Sequence, residues 1–150
     1  MPSFSIGRQG ATPVAGNMLL GATTGLQEVG LVRSLTVDGE AASAGINRMT
    51  MLRSTTNLTT PTAQTPADMG PSGSAPYIDY STTATGEPTT AAAPGLVERA
   101  LQAYGQALAM AWPGLDAPII QGATAGNNEI TLESTSGTNV ITCHAVIEEL

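Results

Sequence analysis

The chain of 150 residues contains no lysine, and only one cysteine, one histidine, one tryptophan and one phenylalanine. Only 11% of its residues are charged, well below the ~25% of an ordinary soluble protein. A single Cys143 excludes an intrachain disulfide, and nothing demands an oxidising compartment. Zinc sites need several His or Cys ligands, and this chain has one of each. A Ser-His-Asp triad would have to use His144, yet no G-x-S-x-G elbow accompanies it. Cys143 and His144 are adjacent, and adjacent strand residues point to opposite faces, so they do not pair as nucleophile and base. Cys143 reads as a small buried hydrophobe and His144 as an outward strand residue.

Other chemistries fail for want of parts. No D-x-D-x-D-G loop for calcium is present, and no glycine-rich loop has phosphate-cradling spacing. Glu129 and Glu133 share a face, but glycoside chemistry also needs a cleft and sugar platforms, and aromatics are scarce. Glu148 and Glu149 read as a solvated chain end. The expectation is a protein that is not an enzyme and carries no cofactor or metal.

The five cations, Arg8, Arg33, Arg48, Arg53 and Arg99, are scattered, and the net charge is −7. Phosphate binding runs on clustered Lys and Arg, so nucleic acid is disfavoured. An anionic membrane surface is disfavoured for the same reason of sign. No charged N-terminal region followed by an apolar run is visible, so no secretory signal is expected. The longest apolar stretch, near Ala107 to Trp112, is too short to span a bilayer.

What is present points to strands. Thr is abundant and suits a pleated surface. The 17 glycines and 10 prolines punctuate turns. With 41% hydrophobic residues the chain can build a core rather than stay disordered. Its length suits one domain. The expected fold is mainly β, a β-sandwich or jelly-roll-like domain over 26–150, with an extended N-terminal arm over 1–25 and long loops.

The arm mixes small residues with isolated large ones, and its glycine spacing forbids a stable helix. It reads either as a frayed terminus or as an arm that orders on a neighbouring subunit. Residues 26–37 form the first strand, with Val29, Leu31, Leu35 and Val37 on one face, Arg33 interrupting it, and Asp38-Gly39 as a turn. Residues 45–54 form a second, with Met49 and Met51 on one side and Ile46, Arg48, Thr50 and Leu52 on the other. That strand reads first as covered on both sides, and second as offering an adaptable Met face to a partner. Residues 55–76 carry four prolines and read as a loop without regular structure. Strand character resumes over 77–85, with Ile78 and Tyr80 on one face.

Val97, Leu101, Tyr104 and Leu108 form a helical stripe, so local physics predicts a helix over 96–104. From Ala107, large residues (Leu108, Met110, Trp112) alternate with alanines, which suits a strand. Trp112 is expected to be buried. Ile130 and Leu132 alternate with Glu129, Thr131 and Glu133. After Ser136-Gly137, Ile141, Cys143, Ala145 and Ile147 line one face. The spacing predicts a terminal hairpin.

Several of these segments resemble one family in order. They are LQEVGLVRSL (26–35), GINRMTMLRSTT (45–56), LVERALQAYGQALAMAW (96–112), APIIQGATAGNNEITLES (117–134) and the close TCHAVIEEL. The chain resembles the head decoration, or cement, proteins of tailed bacteriophages over about 26–56 and 96–150. It departs from them in the arm and in the Pro-rich insert around 57–76. The resemblance implies a β-sandwich or jelly-roll-like domain, often a homotrimer, on the outer surface of the virion shell. Its partner would be the major capsid protein at threefold positions, and 96–104 would be strand or loop. The family has no catalytic residues to carry over. Phe4, Ile6 and Arg8 of the arm, with Met49 and Met51, are the candidate contacts with the lattice. Deleting 1–10 is then expected to abolish capsid binding and spare the fold. The alternative is a tail, fibre, receptor- or carbohydrate-binding β module, for which Trp112 is the one strong aromatic.

Overall fold

The computed structural model describes residues 1–14, 17–23, 28–53, 59–70, 73, 75–86, 96–114, 116–121 and 129–150, with the backbone alone for 59–61, 83–86 and 129. The turn signals at Glu87-Pro88 and Ala93-Pro94-Gly95 and the Gly-Asn passage of 122–128 lie outside them. Every helix or strand among the described residues is a strand: β1 (Ser3–Ala11), β2 (Met18–Thr23), β3 (Val29–Glu40), β4 (Ile46–Arg53), β5 (Thr59–Ala63), β6 (Ala67–Asp68), β7 (Asp79–Gly86), β8 (Val97–Gln102), β9 (Tyr104–Ala111), β10 (Ile119–Gln121), β11 (Glu129–Ser136) and β12 (Ile141–Glu149).

They form two six-stranded sheets, antiparallel throughout. The first runs β10-β3-β12-β1-β6, with β9 paired to β3. The second runs β5-β7-β2-β11-β4-β8. One apolar core lies between the sheets, so the domain is a mainly β sandwich. β12 shows the governing rule: Ile141, Cys143, Ala145 and Ile147 are buried, and the residues between them are half-exposed.

The N-terminal segment is not an arm. β1 lies between β12 and β6, in register from Ser3 opposite Glu148 to Arg8 opposite Cys143. Phe4 and Ile6 are 1% and 3% exposed. Glycines that forbid a helix do not forbid a strand, and Phe4 and Ile6 stand two apart, with Ser5 between them. β2 follows into the second sheet, between β7 and β11.

β3 departs from simple alternation. Its pairing with β12 slips between Ser34 and Val32, so Arg33 is the extra residue of a bulge. The inward set is therefore Gly30 and Val32 on one side of the bulge, and Leu35 and Val37 on the other. Leu31 is buried but stands outside the main core cluster. Asp38 and Gly39 do not turn; they lie within β3. Gly39 is required because a Cβ there would run into the backbone of Ala103.

The 55–76 segment contains two short strands rather than none. β5 tolerates Pro61 because it is an edge strand, where a missing N–H costs no ladder bond. Ile78 and Tyr80 both enter the core, as their spacing predicts.

The helix expected over 96–104 is absent. β8 pairs with β4 from Val97 opposite Met51 to Gln102 opposite Ile46. At Ala103 the chain crosses to the first sheet, held by Ala103 N–H to Gly45 O at 2.7 Å and Ala41 N–H to Ala103 O at 2.9 Å. Positions 97 and 101 satisfy a period of two as well as a helical one, so pairing with β4 decides. Tyr104, the third member of the stripe, is 62% exposed.

β11 and β12 are not a hairpin, because they belong to different sheets. The short connection between them crosses the sandwich and is clamped by a fully buried Asn47. Asn47 Nδ2 donates to Asn139 O at 2.7 Å, and Asn139 N–H donates to Asn47 Oδ1 at 3.2 Å. Gly137 adopts φ 89° in this crossing, and a side chain there would meet the backbone of Ile46 and Asn47.

Candidate functional site

The residues with most chemical potential are spent inside the domain. Arg8 continues the inward row of Phe4 and Ile6, and its guanidinium donates to Thr82 O of the opposite sheet at 2.9 Å. Arg33, at the bulge, pairs with Glu148 and also donates to the carbonyls of Trp112 and Gly114. It therefore pins the β9–β10 connection to the sheet. Arg53 donates to Ile119 O at 2.7 Å, tying β4 to β10 across the sandwich. Arg48 pairs with Glu98 at 2.7 Å between β4 and β8, and Arg99 donates to the Glu98 carbonyl. Each of the five arginines thus donates within the chain.

Glu149 is not a solvated end residue. It is fully buried on the inward face of β12. Its carboxylate accepts from Tyr77 N–H at 3.2 Å, Ile78 N–H at 3.1 Å and Tyr80 O–H at 3.1 Å. These donors satisfy a charge that would otherwise be costly to bury. Burial pushes the Tyr80 hydroxyl far above its ordinary range, and the Glu149 charge and hydrogen bond add to the shift. Tyr77 is raised by burial first, then by Glu149 and Glu28. Both phenols therefore remain donors: the single Tyr77 O–H has Leu150 O at 2.7 Å and Val29 O at 3.1 Å as alternative acceptors. The cluster fastens the start of β7 to the last strand. Its carboxylate sits in the sequence two positions beyond Ile147, on the inward parity of β12, which was the available signal.

Cys143 points into the core and His144 outward, as their adjacency predicts. Burial pushes the Cys143 thiol up to about 12, against a smaller lowering by Arg8. A thiol so raised is protonated at neutral pH and is a poor nucleophile. Glu133 is buried on β11, and the side chain of Glu129 lies outside the described residues. Among the described residues no group of three or more His, Cys, Asp or Glu gathers to hold a metal. No helix among them is long and apolar enough to cross a membrane.

The structure does not bring the candidate contact residues together on a surface. Phe4, Ile6, Met49 and Met51 are all core residues, at 1%, 3%, 2% and 3% exposure. Met49 and Met51 face the first sheet, while Thr50 and Leu52 on the other side of β4 are also buried. The strand is covered on both sides over this stretch. Trp112 is half-buried, packed against the edge of the core.

Among the described residues, one extended surface is the outer face of the first sheet. Ser5 and Gly7 of β1, Thr142, His144 and Val146 of β12, Ser34 and Thr36 of β3, and Ala107, Ala109 and Ala111 of β9 lie there in register. Ala107, Ala109 and Ala111 are exposed and the others half-exposed. The face carries mostly short side chains around His144 and Val146, with Asp38 and Glu40 toward one end and the Arg33–Glu148 pair toward the other. No family model, curated protein or solved structure matches the chain.

Proposed function

We propose that this chain is a head decoration protein of a tailed phage, binding the assembled lattice of the major capsid protein from outside and stabilising the head. The reading starts from the resemblance of the segments at 26–56 and 96–150 to that family. One structural observation supports it: a sheet face mainly of Ser, Thr, Ala and Gly around His144 and Val146, with its acidic residues toward the ends, on a sandwich each of whose arginines donates within the chain. Short side chains lose little rotamer freedom when covered, so such a face binds by area rather than by a few anchors. Repetition around the lattice then turns modest single contacts into firm attachment. The alternative of a glycan- or receptor-binding module gains little support, because Trp112 packs on the core rather than standing free.

The test mixes purified protein with expanded heads that lack it. The expected result is saturable co-sedimentation at a fixed ratio to coat subunits and a higher disruption temperature for the heads. Thr36→Arg, in the middle of the face, is expected to lower binding while leaving the melting temperature of the free protein unchanged. Absence of co-sedimentation, or binding without a fixed ratio, would sink the proposal.

A further inference from the structure

β9 is an edge strand, and no described strand pairs with its other edge. Among the described residues it pairs only with β3. Which of its peptide groups face outward follows from two bonds. Trp112 N–H donates to Arg33 O at 2.9 Å, and Leu108 and Met110 stand opposite Val37 and Leu35 in the same register. Glu40 N–H donates to Val140 O, which assigns the alternate β3 residues Ser34, Thr36 and Asp38 to the β12 side. Alternate residues of an antiparallel ladder direct their N–H and C=O to opposite sides. Leu108 and Met110 therefore bond to β3, and Ala107, Ala109 and Ala111 direct theirs to the other edge.

Natural sheets protect such edges with charge, proline or short strands. The other edges here follow that rule. β5 carries Pro61, β6 has 2 residues, β10 has 3, and β8 carries Glu98 and Arg99. β9 has neither charge nor proline, and no charged residue occurs between Arg99 and Asp116. Its one irregularity, at Gly105 (φ 71°), lies outside the regular stretch from Ala107 to Ala111.

We infer that the β9 edge pairs antiparallel with β9 of a second copy of this chain, about a two-fold axis at Ala109. A second copy fits this strip: each copy carries −7, which opposes association in general, but Ala107 to Ala111 bring no like charge to the contact. The strand is also self-complementary. A two-fold at Ala109 sets Ala107 opposite Ala111 of the other copy, so all three outward peptide groups on each copy are donated to and accepted from. It also sets Leu108 beside Met110, and both are only half-buried in one copy. Such an interface is isologous and closed. It is also small, so dimers form at high concentration rather than low. The inference does not rest on the capsid reading.

Sedimentation equilibrium of the full chain from about 10 μM to 1 mM tests it, a range suited to small interfaces. A reversible monomer–dimer equilibrium is expected. Ala109→Lys, which opposes two like charges at the axis, should weaken dimerisation roughly tenfold or more without shifting the melting temperature. Under mild oxidation, Ala109→Cys should cross-link to itself. Ala111→Cys should not, because its own copy lies about four residues away, at ~3.4 Å each. A monomer throughout the range, an oligomer unmoved by Ala109→Lys, or equal cross-linking of the two cysteine variants would overturn the inference. Should Ala109→Lys fail to fold, the cysteine pair decides alone.

Discussion

Replacing Phe4 by alanine separates two pictures of the N-terminus. As part of a mobile arm, Phe4 would contribute nothing to the stability of the isolated domain. In the structure its ring is 1% exposed on the inward face of β1, and it lies 6.5 Å from the Tyr80 ring, centroid to centroid, at 47°. Truncating a buried Phe to Ala costs about 3–5 kcal/mol, transfer and cavity together. Domains of this kind hold about 5–15 kcal/mol in all. Phe4→Ala should therefore remove a large fraction of the stability and lower the melting temperature by about 6–20 °C, at ~2–4 °C per kcal/mol for this size. Urea unfolding at neutral pH is the direct assay, with the midpoint falling and the slope unchanged. Ser5→Ala, on the outer face of the same strand, is the control and should stay within about 0.5 kcal/mol. Deleting 1–10 removes the strand between β12 and β6 and should abolish cooperative folding. If that deletion melts like the full chain, or Phe4→Ala costs less than about 1 kcal/mol, β1 is not part of the sheet.

The other predictions concern the buried polar groups. The Cys143 thiol is raised from 9.0 to about 12, so above pH 9 the unfolded chain loses this proton and the folded chain keeps it. Stability should then fall by up to ~1.4 kcal/mol per pH unit between pH 9 and 12, and Cys143→Ala should flatten that part of the profile, measured by urea unfolding across pH. Asn47→Ala removes both partners of the Asn139 backbone and leaves them buried or half-buried, which should cost about 2–3 kcal/mol. Denaturant midpoints should report it, and a loss under 0.5 kcal/mol would mean that the 137–140 crossing is held by something else.

Much of the sandwich was legible because alternation needs only one strand to be seen. The faces of β12 and of β9 follow from where Ile141, Cys143 and Ala145, or Leu108 and Met110, stand in the chain. What was not legible depends on a partner strand. The bulge at Arg33 reverses the parity of β3, and only its pairing with β12 reveals it. The stretch 97–101 fits two periods, and β4 selects one. The terminal pair read as a hairpin because Ser136-Gly137 is a turn signal, but such a signal does not say whether the chain returns to its own sheet or crosses to the other. In the sequence Phe4 and Ile6 are isolated large residues among small ones, and nothing local marks them as core. Their anchor is β12, more than a hundred residues away in sequence. By charge alone Glu149 reads as a solvated chain end, although its parity places it inward. The outer face of the first sheet was invisible for the same reason as the core contacts. It is assembled from four strands that share little in sequence beyond mostly small residues on one parity.

The missing lysines and the outer face have a common physical logic. A lysine on an exposed strand carries a long side chain, and covering it costs up to about 2 kcal/mol of rotamer entropy besides desolvating a strongly hydrated charge. Alanine loses none of that freedom, and serine and threonine lose little. The arginines that remain are held by carbonyls and carboxylates of the same chain: Arg8 on Thr82, Arg53 on Ile119, Arg33 on Glu148, Trp112 and Gly114. They already serve to lock the two sheets and the β9–β10 connection. The outer face of the first sheet, mostly short side chains held in register by the ladders, gives up little when it is covered. On the proposed reading this is why no single aromatic anchor is needed: each contact can be weak, provided that the ordering cost is also small and the contact is repeated across a lattice.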